Sequence, residues 1–304
     1  MKVVITGAGG QLGHDLNLTL QGITPPAGVT TALIDGQPVA HDEFEVKALD
    51  RQALDVTDEI MVSEVIGAMK PDVIVHCAAY TAVDRAEADP EGAEKGNVLA
   101  TRNVVRSAES AGAHLIYLST DYVFAGDLGR PLTEDDNTDP RSVYGRTKLL
   151  GELECSPSAS IIRTSWVAGL TGKTVIHLAA RAARESMTLK FVDDQIGSLT
   201  SSADLAAGLS YFVRERPAGL FHVSGEGHAS WYDVISFCVV EAGGSSDQVQ
   251  PIPTSALEPQ PAAVRPAFSA LVSNRLPNSK EGALVEWQDG ARRLVRTIVE
   301  EGSS

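Results

Sequence analysis

The stretch TGAGGQLG, residues 6–13, decides how the rest of the chain is read. A short β-branched run from Lys2 to Thr6 precedes it. Leu12, Leu16 and Leu20 follow at four-residue intervals, which lays one apolar stripe along a helix. The glycines fall at 7, 10 and 13. Gly7 lets the chain leave the strand sharply, Gly10 lets backbone amides approach a pyrophosphate, and Gly13 lets the helix pack closely on the sheet. A dinucleotide pyrophosphate then rests on the helix N-terminus, where unpaired N–H groups and the helix dipole favour an anion. A glycine pattern alone decides little. The strand before it and the helix after it supply the context that makes it a dinucleotide site.

Working outward, strands are expected at about 45–49, 72–76 and 114–118, with helical stretches at about 58–69, 90–111 and 142–154. Strands alternating with helices build a Rossmann-type, doubly wound parallel α/β sheet. Residues 22–42 break the rhythm: Pro25-Pro26 and Asp35-Gly36 lie between apolar runs, which predicts an inserted loop and a small hairpin. After Arg163 the alternation loosens. Helices are expected near 173–186 and 230–242, a strand at Gly219 to Val223, and a Pro-rich passage at 251–266. A closing helix carries Leu284, Trp287, Ala291, Leu294 and Ile298 on its apolar side. The division expected is residues 1–165 as a dinucleotide-binding domain and 166–304 as a smaller α+β substrate-binding lobe, with some segments returning to the first domain.

The chain has 304 residues, 43% apolar and 21% charged, enough for a sizeable core and ordinary for a folded protein. Lys and Arg number 25 against 40 Asp and Glu, a net charge of −15, which repels duplex phosphates and argues against a nucleic-acid partner. Cys77, Cys155 and Cys238 are widely separated, so neither a disulfide framework nor a zinc ribbon is implied. The first residues hold too short an apolar run for a signal peptide. No stretch approaches the ~18 apolar residues of a membrane helix, so a cytoplasmic address and no membrane partner are expected.

SVYGRTK places Tyr144 and Lys148 four residues apart, on one face of a helix. A phenol is a poor acid–base at neutral pH; an adjacent ammonium favours phenolate and draws the working pKa toward neutrality. The same lysine can hold a nicotinamide ribose. LIYLSTDYVF ends an apolar strand in Ser119, Thr120 and Asp121, and the carboxyl end of a central parallel strand faces the ligand crevice. Thr120 can donate a hydrogen bond to a carbonyl oxygen there. At the second strand's tip stand Asp50, which suits ribose hydroxyls, and Arg51, which suits a 2′-phosphate, so NADH and NADPH both remain open.

Taken together, TGAGGQLG, PDVIVHCAAYTAVDRAE, STDYVFAG, SVYGRTKLLGE, IIRTSWV, VDDQIGS, HVSGEGHASWYD and VRPAFSAL resemble, in that order, the extended short-chain dehydrogenase/reductases. Within them they are similar to the dTDP-4-dehydrorhamnose reductases over nearly the whole chain. The resemblance implies NADPH or NADH as hydride donor and the 4-keto group of a nucleotide-linked 6-deoxy sugar as acceptor. It implies Tyr144 as proton donor, Lys148 as its activator and ribose anchor, and Thr120 as the hydrogen-bond donor on the carbonyl side. It puts Gly10, Gln11 and Leu12 at the pyrophosphate, within the cofactor turn that Gly7 and Gly13 shape, Asp55 and Val56 by the adenine, and Ala79, Tyr80 and Thr81 along the cofactor. Val83, Asp121 and Trp166 fall where that family contacts its sugar nucleotide.

Some positions depart from the pattern. The 22–42 insertion lies on the adenosine side. Leu199 stands where proline is usual, which predicts a looser loop. His76 and Cys77 stand where Asn and Ala are common, and their expected role is packing. Some relatives hold magnesium near the first helix; Asp15 is at the comparable place, without a convincing partner set. A homodimer is a further expectation. Two rivals share the fold. An epimerase or dehydratase recycles bound NAD, but dehydratases carry an Asp-Glu pair where this chain has Asp121-Tyr122. A non-catalytic regulatory subunit of methionine adenosyltransferase is the other, against which stand the intact Thr120, Tyr144 and Lys148. An acidic chain with two anionic ligands needs a local basic pocket, for which Lys173, Arg181 and Arg265 are candidates.

Overall fold

The structure is a computed structural model that describes residues 1–29, 37–172, 174–276 and 284–302. In chain order it runs β1 (Lys2–Thr6), α1 (Gln11–Leu20), β2 (Glu45–Leu49), α2 (Glu59–Met69), β3 (Val73–His76), α3 (Val83–Ala88) and α4 (Pro90–Glu94). A π-helical turn, Lys95–Leu99, leads into α5 (Ala100–Ala111); β4 (His114–Thr120), α6 (Val143–Glu154) and β5 (Ser160–Thr164) follow. Beyond them come β6 (Val167–Ala168), α7 (Val175–Glu185), β7 (Leu189–Val192), β8 (Ile196–Gly197), β9 (Thr200–Ser201), α8 (Ser202–Glu215), β10 (Gly219–His222), β11 (Ala229–Ser230), α9 (Trp231–Glu241), β12 (Val249–Ile252) and α10 (Trp287–Glu301).

Six of the described strands form one parallel sheet in the order β10-β5-β4-β3-β1-β2. Side chains alternate across it. Val3 and Ile5 point to one face with Leu16 and Leu20 of α1 and Leu205, Leu209 and Phe212 of α8, whereas Val4 points to the other with Val62 and Ile66 of α2 and Val104 of α5. Both faces are covered, which is why β1, β3 and β4 read as continuous apolar runs instead of alternating ones. β1 connects to β2 on one side and then to β3 on the other, so a crevice opens at the carboxyl ends of β1 and β3.

After β5 the chain builds a second core from α7, α9 and α10, with Ile176, Val234, Ile235, Trp287, Leu294 and Val295 buried in it. It also returns to the first layer, since α8 packs on α1 and β10 pairs with β5 in parallel. The described ends of the 22–42 insertion serve this joint. Ala27 is buried in the second core, and Arg214 of α8 pairs with Glu43 at 2.7 Å while donating to the carbonyls of Gln37 and Pro38. The expected hairpin falls on 30–36, outside the described residues. Leu199 does not loosen its loop: it is 2% exposed, within the second core.

Candidate active site

Gly7 has φ of +72°, a left-handed backbone that a side chain disfavours, and a Cβ there would meet the Ala78 amide nitrogen at 2.5 Å. A Cβ on Gly13 would lie 2.4 Å from the Gly7 carbonyl oxygen. The turn and the helix start are therefore pressed onto the end of β3 as the sequence predicts. Gly10 caps α1 without a side chain, and the first amide of the helix to find a backbone carbonyl is that of His14, which donates to Gly10. The amides of Gln11, Leu12 and Gly13 are left at the open end, a cradle that fits a dinucleotide pyrophosphate. Gln11 enters it through its backbone only, because its side-chain Oε1 accepts from the Gly169 amide at 2.6 Å.

Asp50 and Arg51 are exposed at the end of β2, and Asp50 Oδ1 accepts from the amides of Gln52 and Ala53. Asp55 accepts from the amide and hydroxyl of Thr57, which holds its carboxyl below the usual range. Val56 packs in the core between α2 and α5, and its carbonyl accepts from Asn103 at 3.1 Å. Ala79 and Tyr80 are half-buried and Thr81 is exposed past β3. Tyr80 points its hydroxyl at Asp89, 3.1 Å away.

Ser142 caps α6 by accepting from the Gly145 amide at 3.1 Å, and Glu87 accepts from the Val143 amide at 2.7 Å. These caps fix the first turn of α6, which carries Tyr144. Tyr144 packs edge-on against Tyr122 at 5.5 Å, beside the Thr120 hydroxyl. Burial pushes its phenol up to about 12, and Thr120 pulls the other way. The structure corrects one expectation here. The Lys148 ammonium does not lower the phenol: Nζ turns inward, donating to the Leu118 carbonyl at 2.6 Å and lying 4.1 Å from the centre of the Tyr117 ring. Lys148 is 3% exposed, and burial brings its ammonium down to about 8 while Glu152, one turn on, resists.

Asp121 lies beside Thr120 at the end of β4. It is 2% exposed, and both its oxygens are engaged inside the protein: Thr120 donates to Oδ1 at 2.9 Å, and Ser269 and Ser165 donate to Oδ2 at 2.6 and 3.4 Å. Val83 starts α3 and is half-buried. Trp166 is half-exposed, has φ of +46° and stacks on Trp231 at 3.9 Å. A non-glycine residue in that region costs ~1–3 kcal/mol and persists where its surroundings impose it. Of the basic candidates, Lys173 lies outside the described residues, and Arg181 pairs with Glu185 on the exposed face of α7. Arg265 grips Asp84 with both guanidinium nitrogens, at 3.0 and 2.6 Å, close to Tyr122.

His76 accounts for itself as packing: it is 1% exposed, lies 2.7 Å from the Thr6 hydroxyl, and burial lowers it to about 3, so it is neutral. Burial pushes the Cys77 thiol up to about 12, which leaves no thiolate for chemistry. Asp15 accepts from Ser202 of α8 and is 5% exposed, within the α1–α8 contact. Two residues escaped the sequence reading. Asn97, in the π turn, accepts from the Tyr80 amide at 2.8 Å and donates to the Thr147 hydroxyl at 3.0 Å, tying the loop after β3 to α6. Its only local sign is Gly96 inside a helical run. Trp231 opens α9 after a Ser230–Asp233 capping box, a pattern that locates a helix start but says nothing of the stack.

A glycine turn at the switch point of a parallel sheet, with threonine, tyrosine and lysine gathered at the carboxyl end of β4, defines a Rossmann-type dehydrogenase/reductase of the extended short-chain kind. The family model of the RmlD substrate binding domain matches residues 1–300, and the chain belongs to that family. It is 35% identical to a dTDP-4-dehydrorhamnose reductase of Streptomyces griseus, over 94% of this chain and 90% of the relative. To that of Salmonella typhimurium it is 33% identical, over 97% of each. Among solved structures, the dTDP-4-dehydrorhamnose reductase of Clostridium acetobutylicum superposes with a TM-score of 0.85 at 33% identity, covering 97% of this chain and 99% of that one. The Bacillus anthracis enzyme, solved with NADP, gives 0.84 at 33% identity over 96% and 98%.

Proposed function

We propose that the chain reduces the 4-keto group of dTDP-4-dehydrorhamnose with NADPH or NADH, giving dTDP-L-rhamnose. The observation that carries this reading is the convergence of Thr120, Tyr144 and Lys148 at the mouth of the crevice whose floor is the glycine turn. Relatives matched over nearly the whole chain bear the same activity in their names.

When bound, the nicotinamide supplies the hydride that reaches C4 of the ketone. The chain's own residues do the rest. The open amides of Gln11 to Gly13 hold the pyrophosphate, which fixes the dinucleotide against the end of β1. Tyr144, kept protonated by burial, holds the proton that goes to the ketone oxygen as charge develops there, and its neutral state at working pH is what an acid requires. Thr120 stands beside the phenol on the carbonyl side of the site. Lys148, seated in the wall behind with Nζ on the Leu118 carbonyl, holds α6 against the end of β4 and adds positive charge behind the site. Arg265 is assigned to the substrate diphosphate, since among the described candidates it alone approaches the catalytic tyrosine through Tyr122.

The test is consumption of NAD(P)H, followed at 340 nm, with dTDP-4-dehydrorhamnose. Stoichiometric oxidation supports a reductase. Isomerised sugar with no net cofactor consumption makes it an epimerase, and no turnover at all with capture of methionine adenosyltransferase makes it a binding subunit.

A further inference from the structure

A threonine hydroxyl has one proton to give. In this structure Thr120 gives it to Asp121 Oδ1, at 2.9 Å, and its oxygen accepts from the Tyr122 amide at 3.2 Å. So arranged, Thr120 has no proton to offer a ketone oxygen. The carboxyl that takes it is buried and held by hydroxyls from separate parts of the chain: Thr120 at the end of β4, Ser165 after β5, and Ser269 from the segment between β12 and α10.

We propose that Asp121 is a positioning residue: as a carboxylate it captures the Thr120 proton, and as a carboxylic acid it donates to Thr120 Oγ1 and frees that proton for the substrate carbonyl. Ser269 sets the balance, because it stabilises the carboxylate from the second lobe. The inference rests on the reductase reading and deepens it. Taking a proton reverses the polarity of one hydrogen bond and breaks no covalent bond elsewhere. Burial supports it by pushing the Asp121 carboxyl up to about 6, with Ser269 and then Thr120 pulling it back in part. The titratable groups facing it are Tyr122 on its own turn and Tyr144 on α6; both are phenols held neutral by burial, so neither changes charge where Asp121 titrates. The partners from the β5 loop and the second lobe are hydroxyls.

Two variants and two readouts test this. In the wild type, kcat rises as pH falls through about 6 and levels off below. Asp121→Asn, whose amide nitrogen donates to Thr120 at every pH, loses that limb, so its kcat no longer changes between pH 5 and 7. Ser269→Ala removes a hydrogen bond to the carboxylate and moves the limb to higher pH; it also keeps the proposal falsifiable should the buried asparagine fail to fold. The second readout needs no activity: the carboxylic acid C=O stretch in infrared spectra titrates with the same pKa, vanishes in Asp121→Asn and moves up in Ser269→Ala. A wild type with no limb and no titrating carboxyl between pH 5 and 7, or a limb unmoved in both variants, overturns the proposal. A protein that oxidises no NAD(P)H yet shows the shifted carboxyl band keeps the toggle and loses the reductase reading, so the two failures are distinguishable.

Discussion

The Nζ of Lys148 sits 2.6 Å from the carbonyl oxygen of Leu118, inside the wall of the site instead of against the catalytic phenol. Burial lowers this ammonium from its ordinary 10.5 to about 8. Between those values the unfolded chain holds the proton and the folded chain does not, so this group's contribution to stability rises with pH across that window. Activity moves oppositely. The site loses its positive charge above about 8, and kcat falls there. Lys148→Arg keeps its charge, so its kcat, lower throughout, stays flat from pH 7 to 9.5; a limb near 8 surviving in that variant assigns the titration elsewhere.

Tyr144→Phe removes the proton donor and leaves the ring packed on Tyr122. General acid catalysis is worth ~10²–10⁴ in rate, so turnover drops by at least tens-fold. The pyrophosphate cradle lies on α1, so cofactor affinity by fluorescence quenching stays nearly unchanged. Wild-type turnover in this variant removes Tyr144 from the chemistry.

Gly7→Ala adds a Cβ both to a left-handed backbone and to a gap of 2.5 Å at Ala78. Strain and overpacking together cost about 2 kcal/mol or more. The denaturant midpoint falls and cofactor binding weakens with it. An unchanged midpoint shows that the turn has room.

The glycine turn and the Tyr144–Lys148 spacing were legible because each is a local demand: a positive φ, a close approach, a helical face. What those side chains then touch was not. Lys148 pointed correctly off α6, yet its partner is a carbonyl 30 residues away on β4. Asp121 stood at the right strand end, and its burial depends on Ser269, 148 residues distant. Asn97 meets Tyr80 only because a π turn rotates it. The sheet itself was legible from alternation, whereas its sixth strand, β10, comes from beyond the point where that rhythm fails.

Behind Lys148, Glu152 and Arg163 form a buried bidentate pair at 2.8 and 2.7 Å, and Ser119 donates to the same carboxylate at 2.5 Å. Removing one partner strands the other charge away from water, which costs ~3–5 kcal/mol. Arg163→Met therefore lowers stability by that order in urea unfolding. A double variant, Glu152→Gln with Arg163→Met, recovers a large share of the loss; strictly additive losses show that the two are not coupled.

Arg265 joins the lobes by gripping Asp84 beside the site, and the Ala263 amide donates to the same carboxylate at 3.0 Å. If the guanidinium serves the substrate diphosphate, the grip on Asp84 is a resting partner that orients it. A charge-assisted hydrogen bond is worth ~1.5–3 kcal/mol, so Arg265→Ala raises the substrate KM by about tenfold or more, with kcat within about twofold. Asp84→Asn keeps a hydrogen-bond acceptor and leaves Arg265 charged, so its KM for the sugar nucleotide stays level or falls. The pair separates ligand binding from lobe docking, because a mere strut weakens equally from either side. Steady-state kinetics of both variants decide it: equal rises in KM make the contact structural, and an unchanged KM in Arg265→Ala takes the arginine out of the diphosphate site.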